Sequence, residues 1–262
     1  MIEFVNESPL KEPIIFDTHA HYDDERFSGI ETELFKELNS HGVGGILTCG
    51  CDAESSKKAL ELAKTYDFVY SAAGIHPSNL ENGTSLSEIE EICKEEKCVA
   101  IGEIGLDYYW TEDNKPLQKE VFVSQLELSN RLDMPVLVHD RDAHADTLEF
   151  LKKLRPQGVV HSFSGSVEMA EEILKIGMYF GIGGVITFKI ARKLPDVVKM
   201  LPEDRILLET DAPYLAPVPY RSKTNNSAMI YLTAQKIAEI KGCSTEHILK
   251  VTFDNAKKML NI

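Results

Sequence analysis

Along this chain, short runs of consecutive apolar residues alternate with longer stretches whose apolar positions recur three and four residues apart. The first run, Ile14-Ile15-Phe16, predicts a buried strand. Further runs predict strands over residues 44–49, 68–73, 98–103, 135–139, 158–161, 178–183 and 205–210. Helical spacing appears in Ile30, Leu34 and Leu38, and again over residues 53–65, 86–95, 116–132, 167–176, 227–241 and 245–260. One more helix is expected from Asp142, read as its N-cap, through Leu148, Leu151 and Leu154. A basic helix is expected around Lys189, Arg192 and Lys193. Eight strands alternating with helices, without linker or low-complexity segment, predict an α/β chain folded as a single (β/α)8 TIM-type barrel over residues 14–262. Residues 1–13 read as an N-terminal extension draped over its surface or partly mobile.

Polar residues close the apolar runs. The first strand ends in Asp17-Thr18-His19-Ala20-His21, where alternation of side chains turns His19 and His21 the same way, together with Asp17. An isolated His-x-His is more often a pair of loop histidines than a ligand set. Here, however, His76, Glu103, His139, His161 and Asp211 also fall at strand ends. The active face of such a barrel lies at the C-terminal ends of its strands, so a metal site is expected there. A carboxylate closing an apolar strand is costly to bury unpaired, which marks Glu103 as a ligand. Cys49-Gly50-Cys51 reads as reduced structural thiols, and His144 as a solvent-facing helix residue.

Composition narrows the class. Apolar residues make up 43% of the chain, enough for a large core, and no run is long enough to span a membrane. Glu3, Glu7 and Glu12 do not form a basic-then-apolar leader, and five cysteines without framework spacing fit a reducing compartment. A cytoplasmic protein is expected, with no obligatory protein partner. The formal net charge of −14 excludes a broad basic face of the kind that coats nucleic acid. It permits a phosphodiester enzyme in which cations reverse the sign locally.

The motifs Asp17-Thr18-His19-Ala20-His21, Gly74-Ile75-His76-Pro77, Ile101-Gly102-Glu103-Ile104-Gly105-Leu106-Asp107-Tyr108, Val138-His139-Asp140-Arg141-Asp142-Ala143, His161-Ser162-Phe163-Ser164-Gly165 and Glu209-Thr210-Asp211-Ala212-Pro213-Tyr214-Leu215 resemble, in this order, those of the TatD-type metal-dependent nucleases. That family is a branch of the amidohydrolase superfamily. The resemblance implies one or two divalent ions (Mg, Mn or Zn). His19 and His21 would hold one, His139 and His161 the other, and Glu103 would bridge them. Asp211 would bind metal and orient or deprotonate the attacking water. His76 would contact phosphate; Glu209, by its own chemistry, reads as an acceptor holding a ligand histidine rather than as a catalytic group. The implied activity is a deoxyribonuclease of 3′–5′ exonuclease type, acting on single-stranded or frayed 3′ ends. Hydrolysis of a carboxylic ester or amide, such as deacylation of D-aminoacyl-tRNA, is the alternative.

Relatives usually carry an Arg-rich segment after the Asp-Ala-Pro-Tyr-Leu motif, ending Arg-Asn-Glu-Pro. Here Arg221, Lys223 and Asn225 remain, while Thr224, Asn226 and Ser227 stand where Arg, Glu and Pro are common. That loss weakens tight polynucleotide binding and leaves Arg141, Arg221 and Lys223 as expected substrate contacts beside His76.

Overall fold

The computed structural model describes residues 2–4, 10, 12–110 and 114–262. Eight strands lie parallel, each hydrogen-bonded to the next in chain order: β1 (Ile15–Ala20), β2 (Val43–Cys49), β3 (Val69–Ala73), β4 (Cys98–Asp107), β5 (Val136–Arg141), β6 (Gly158–Val160), β7 (Tyr179–Ile182) and β8 (Ile206–Leu208). Helices cover the outside: α1 (Glu31–Ser40), α2 (Ala53–Thr65), α3 (Leu86–Ile92), α4 (Lys115–Leu132), α5 (His144–Leu154), α6 (Val167–Ile176), α7 (Leu194–Met200), α8 (Ile230–Lys241) and α9 (Thr245–Leu260). Strands buried on both faces read as continuous apolar runs, which is why the sequence pattern resolves them.

The ring closes just past β8. Asp211 N donates to His19 O at 2.9 Å and His21 N to Ala212 O at 2.7 Å. The buried Asp17 carboxylate reinforces this seam, accepting from Thr210 N at 3.0 Å, Thr210 Oγ1 at 2.6 Å and Ser227 Oγ at 2.7 Å. Burial pushes its pKa up to about 7 against those hydrogen bonds.

Inside the ring, one cluster takes a residue from every strand: Phe16, Leu47, Ala72, Ala100, Leu137, Val159, Tyr179 and Leu207. Met259 and Leu260 of α9 join it, and Phe253 meets Phe16 edge-on at 5.8 Å. Asn255 Nδ2 donates to Ile206 O at 2.9 Å, fixing α9 beneath the first residue of β8. The N-terminal end of the barrel is thus plugged with apolar side chains, and the C-terminal end is left for polar ones.

Several boundaries differ from expectation. Ile30 caps α1 and is exposed, and Phe35 joins Leu34 and Leu38 on the buried face instead. Asp142 does not cap α5; it adopts a left-handed φ of 55°, and Ala143 precedes the helix. Lys189, Arg192 and Lys193 form no helix, because α7 begins at Leu194 with Pro195 in its first turn. β4 continues past Glu103 to Asp107, whereas β8 stops at Leu208. Of the extension, residues 1, 5–9 and 11 lie outside the described residues. Ile2, Phe4 and Leu10 pack on the outer core, with Phe4 stacked on His41 at 4.9 Å.

Candidate metal centre

Local irregularities aim the polar side chains. In β1, Asp17 pairs with Ile46 and Ala20 with Thr48, so three steps on one strand face two on the other. This bulge interrupts alternation. Phe16 points into the barrel and Asp17 out toward Thr210, so Asp17 does not share the side of His19 and His21, contrary to the simple strand reading. β4 bulges likewise between Ile101 and Ile104, and Glu103 N donates to Gly50 O at 2.9 Å. The bulge turns the Glu103 carboxylate into the ring, where it is almost wholly buried.

Its two oxygens face different histidines. Oε2 stands 3.3 Å from His19 Nε2 and 3.5 Å from His21 Nε2. Oε1 stands 2.8 Å from His139 Nδ1 and 3.3 Å from His161 Nε2. Asp211 Oδ1 joins the first group, 3.4 Å from His21 Nε2 and 3.9 Å from His19 Nε2. His19 Nε2 and His21 Nε2 are themselves 3.3 Å apart. Donors at zinc-like bond lengths in a tetrahedral shell stand ~3.3 Å from one another, so this spacing fits a divalent ion.

The far sides of the rings bear on which nitrogen offers a lone pair. His21 Nδ1 donates to Cys49 O at 3.0 Å, and His139 Nε2 donates to Asp107 Oδ2 at 3.1 Å. His161 Nδ1 faces Glu209 Oε1 at 3.3 Å without making a hydrogen bond, and the same oxygen accepts Ser162 N at 2.5 Å. For His21 and His139 the far-side bond leaves the nitrogen facing Glu103 as the one a metal would take, in His139 in place of its hydrogen bond to Glu103 Oε1 at 2.8 Å. His19 differs: its Nδ1 has no hydrogen-bond partner among the described residues, and its ring stacks on His161 at 3.8 Å. Glu209 fits only because residue 181 is glycine, where a Cβ would lie 2.1 Å from Glu209 Oε2. Cys51 Sγ lies 3.9 Å from His21 Nδ1, behind the ring rather than at the focus of the donors.

His76 is placed differently. Its Nδ1 accepts Ser78 N at 3.1 Å, so the neutral ring carries its proton on Nε2, which points at Glu103 Oε1 from 3.6 Å. Burial lowers its pKa to about 4, keeping the ring neutral. It is a donor to the site. Burial opposes ionisation of Glu103, but the imidazoles gathered around it and the hydrogen bond from His139 outweigh it and hold the carboxyl well below its usual range. Asp211 is likewise lowered despite burial, by His21 and His161. Burial works against the charged form of His139, yet its bonds to Asp107 and Glu103 raise it to about 9. Two anions among so many imidazoles are the electrostatic counterpart of a cation site.

A cavity of about 620 Å³ opens from His139, His161 and Asp211, and its wall includes Arg141, Arg192 and Lys193 as well as Asp140. Arg192 and Lys193 come from the β7–α7 connection, which explains what those basic residues do in place of a helix. Arg221 and Lys223 are not among the residues lining this cavity. The Arg221 guanidinium lies 3.8 Å above the Phe188 ring, and Lys223 pairs with Glu3 at 2.7 Å. His144 is half-exposed but paired with Asp140 at 2.8 Å, so it is not simply a solvent residue.

The sequence reading gave no role to Asp107. Its signal was the continued apolar run Ile104-Gly105-Leu106, which extends β4 by a further two-residue repeat. Gly105 permits that extension: with φ at 149°, it sits where a Cβ would meet His139 O at 2.0 Å.

Comparisons with known proteins bear on the family and the fold. The family model described as TatD related DNase matches residues 16–261. The uncharacterized metal-dependent hydrolase YabD of Bacillus subtilis is 39% identical over 254 residues, covering 95% of this chain and 100% of the relative. The uncharacterized metal-dependent hydrolase YcfH of Escherichia coli is 35% identical over 254 residues, covering 95% of this chain and 96% of its own. Among solved structures, the TatD homolog YjjV of Escherichia coli superposes with a TM-score of 0.90 at 33% identity, covering 95% of this chain and 98% of that one.

Proposed function

Since this chain belongs to the TatD-related DNase family and is a metal-dependent hydrolase, we propose that it hydrolyses DNA phosphodiester bonds, releasing nucleotides from a 3′ end. The observation that carries this reading is the cavity. In a chain of net charge −14, the space beside His139, His161 and Asp211 is walled by Arg141, Arg192 and Lys193. Such a wall suits a polyanionic substrate better than a neutral ester.

In this reading His19, His21 and Asp211 would hold one divalent ion and His139 and His161 a second, with Glu103, whose two oxygens face the two groups, as the carboxylate shared between them. Bound divalent ions lower the pKa of water and neutralise charge gathering on a phosphoryl oxygen. The donor set of imidazoles and carboxylates suits Zn, Mn or Mg. Asp211 Oδ1 orients the attacking water and takes its proton. His76 Nε2–H donates to a non-bridging phosphoryl oxygen, and Arg141, Arg192 and Lys193 receive the flanking phosphates. Arg221, stacked on Phe188, adds charge at the outer edge of the mouth, and Lys223 does so when it leaves Glu3.

The test is side-by-side turnover of a 3′-labelled oligonucleotide and a D-aminoacyl-tRNA, with and without chelator. Chelator-sensitive loss of the 3′ label with the aminoacyl ester intact is expected. Ester cleavage without nucleotide release would replace this reading with the deacylase one.

A further inference from the structure

We propose that Tyr109, Trp110 and Arg141 form a stacking platform for an unpaired nucleobase of the strand being cut, placed just outside the metal centre. The inference rests on the phosphodiesterase reading above and specifies how it recognises its substrate.

Three observations meet here. Tyr109 and Trp110 are 54% and 67% exposed, an unusual degree of exposure for adjacent aromatic residues that the fold does not need for its core. Their rings meet edge to face at 4.7 Å, and the Arg141 guanidinium lies 4.1 Å from the Tyr109 centroid and 5.4 Å from that of Trp110. The group is therefore a preformed surface of aromatic faces with a cation set into it. Arg141 also lines the cavity beside His139.

The platform is also fixed to the site chemistry. Asp107 Oδ1 accepts Tyr109 N at 2.9 Å and Trp110 N at 3.2 Å, while its Oδ2 holds His139 Nε2 at 3.1 Å. One carboxylate sets both the ring facing Glu103 and the backbone under the aromatic pair. A base stacked on Trp110 belongs to a strand whose backbone then passes Arg141 on its way to the cavity. Stacking accepts any base, since each offers a π-face, so the platform selects single-stranded polynucleotide without reading sequence. It also disfavours a base held in a pair, which must first leave its partner and its neighbour in the stack before it can turn onto the ring.

Trp110 is the chain's one tryptophan, so its emission reports on this surface alone. In chelator, a single-stranded oligonucleotide should quench that emission, and an oligonucleotide of equal length with abasic 3′-terminal positions should not. With metal restored, wild type should cleave the base-bearing strand with a kcat/KM about tenfold above the abasic one, the scale of one base–aromatic stack. Trp110→Ala should erase that ratio and Trp110→Phe should restore most of it; general damage to the fold would lower both substrates alike and leave the ratio unchanged. Equal cleavage of both strands by wild type, or an unchanged ratio in Trp110→Ala, would overturn the platform while leaving DNA hydrolysis standing. Failure of wild type to cleave either strand with Mg, Mn or Zn would instead overturn the hydrolysis reading and this inference with it.

Discussion

The two ends of the barrel are built on opposite principles. At the N-terminal end, Phe16, Tyr70 and Phe253 pack with Met259 and Leu260 into an apolar plug. At the C-terminal end, His19, Glu103 and His161 are equally buried but face one another's polar atoms. Burial at the first end is the source of stability, because apolar area leaves water. At the second it is a cost, offset only by pairing and by whatever cation the cluster holds. Stability and chemistry are thus assigned to different ends, and each can be disturbed without the other.

The largest separation is expected from Phe16→Ala. Removing a ring packed against Tyr70 and Phe253 should destabilise the protein by about 3–5 kcal/mol, the usual cost of a deleted core aromatic. Denaturant unfolding should show this while metal content of the folded fraction stays at the wild-type value. A drop in metal content would mean that the two ends are coupled. A smaller effect is expected from Asp107→Asn, which keeps the shape but weakens the hold on His139 Nε2. Loss of such a supporting partner typically lowers metal affinity or activity about 10- to 100-fold. A metal titration giving wild-type affinity would show that the hold of Asp107 on His139 does not support the metal centre.

The smallest effect should come from Arg221→Ala, since the Arg221 guanidinium lies over Phe188 and outside the cavity lining. Phosphate contacts carry no direct base information, so oligonucleotide affinity should fall a few-fold and equally for every sequence. Each lost phosphate contact also makes the salt dependence shallower by about one counterion. Affinity across a salt series, measured without turnover, checks both. An unchanged slope would remove Arg221 from the mouth and leave Arg141, Arg192 and Lys193 to face the phosphates.

The same contrast governs what the sequence makes legible. Apolar runs locate the strands, and their polar last residues bring His19, His21, Glu103, His139, His161 and Asp211 to one end. Alternation fails where the backbone bulges, so the outward turn of Asp17 and the inward turn of Glu103 depend on register shifts that no pattern of residue types displays. Lys189, Arg192 and Lys193 mimic helical spacing, yet the helix starts only at Leu194, and Arg192 and Lys193 line the cavity instead. Asp107 escapes notice because its role exists only once β4 lies beside β5 and brings it to His139.

The central claim is that Glu103 joins two halves of one metal centre, and it is tested most directly by metal content and hydrolysis in Glu103→Ala. The protein, stripped and then loaded with zinc or manganese, should hold clearly less metal per chain than wild type and lose nearly all phosphodiester hydrolysis. Its far-UV circular dichroism and melting transition should remain those of a folded barrel. A folded Glu103→Ala protein with wild-type metal content and full turnover would contradict the bridging role.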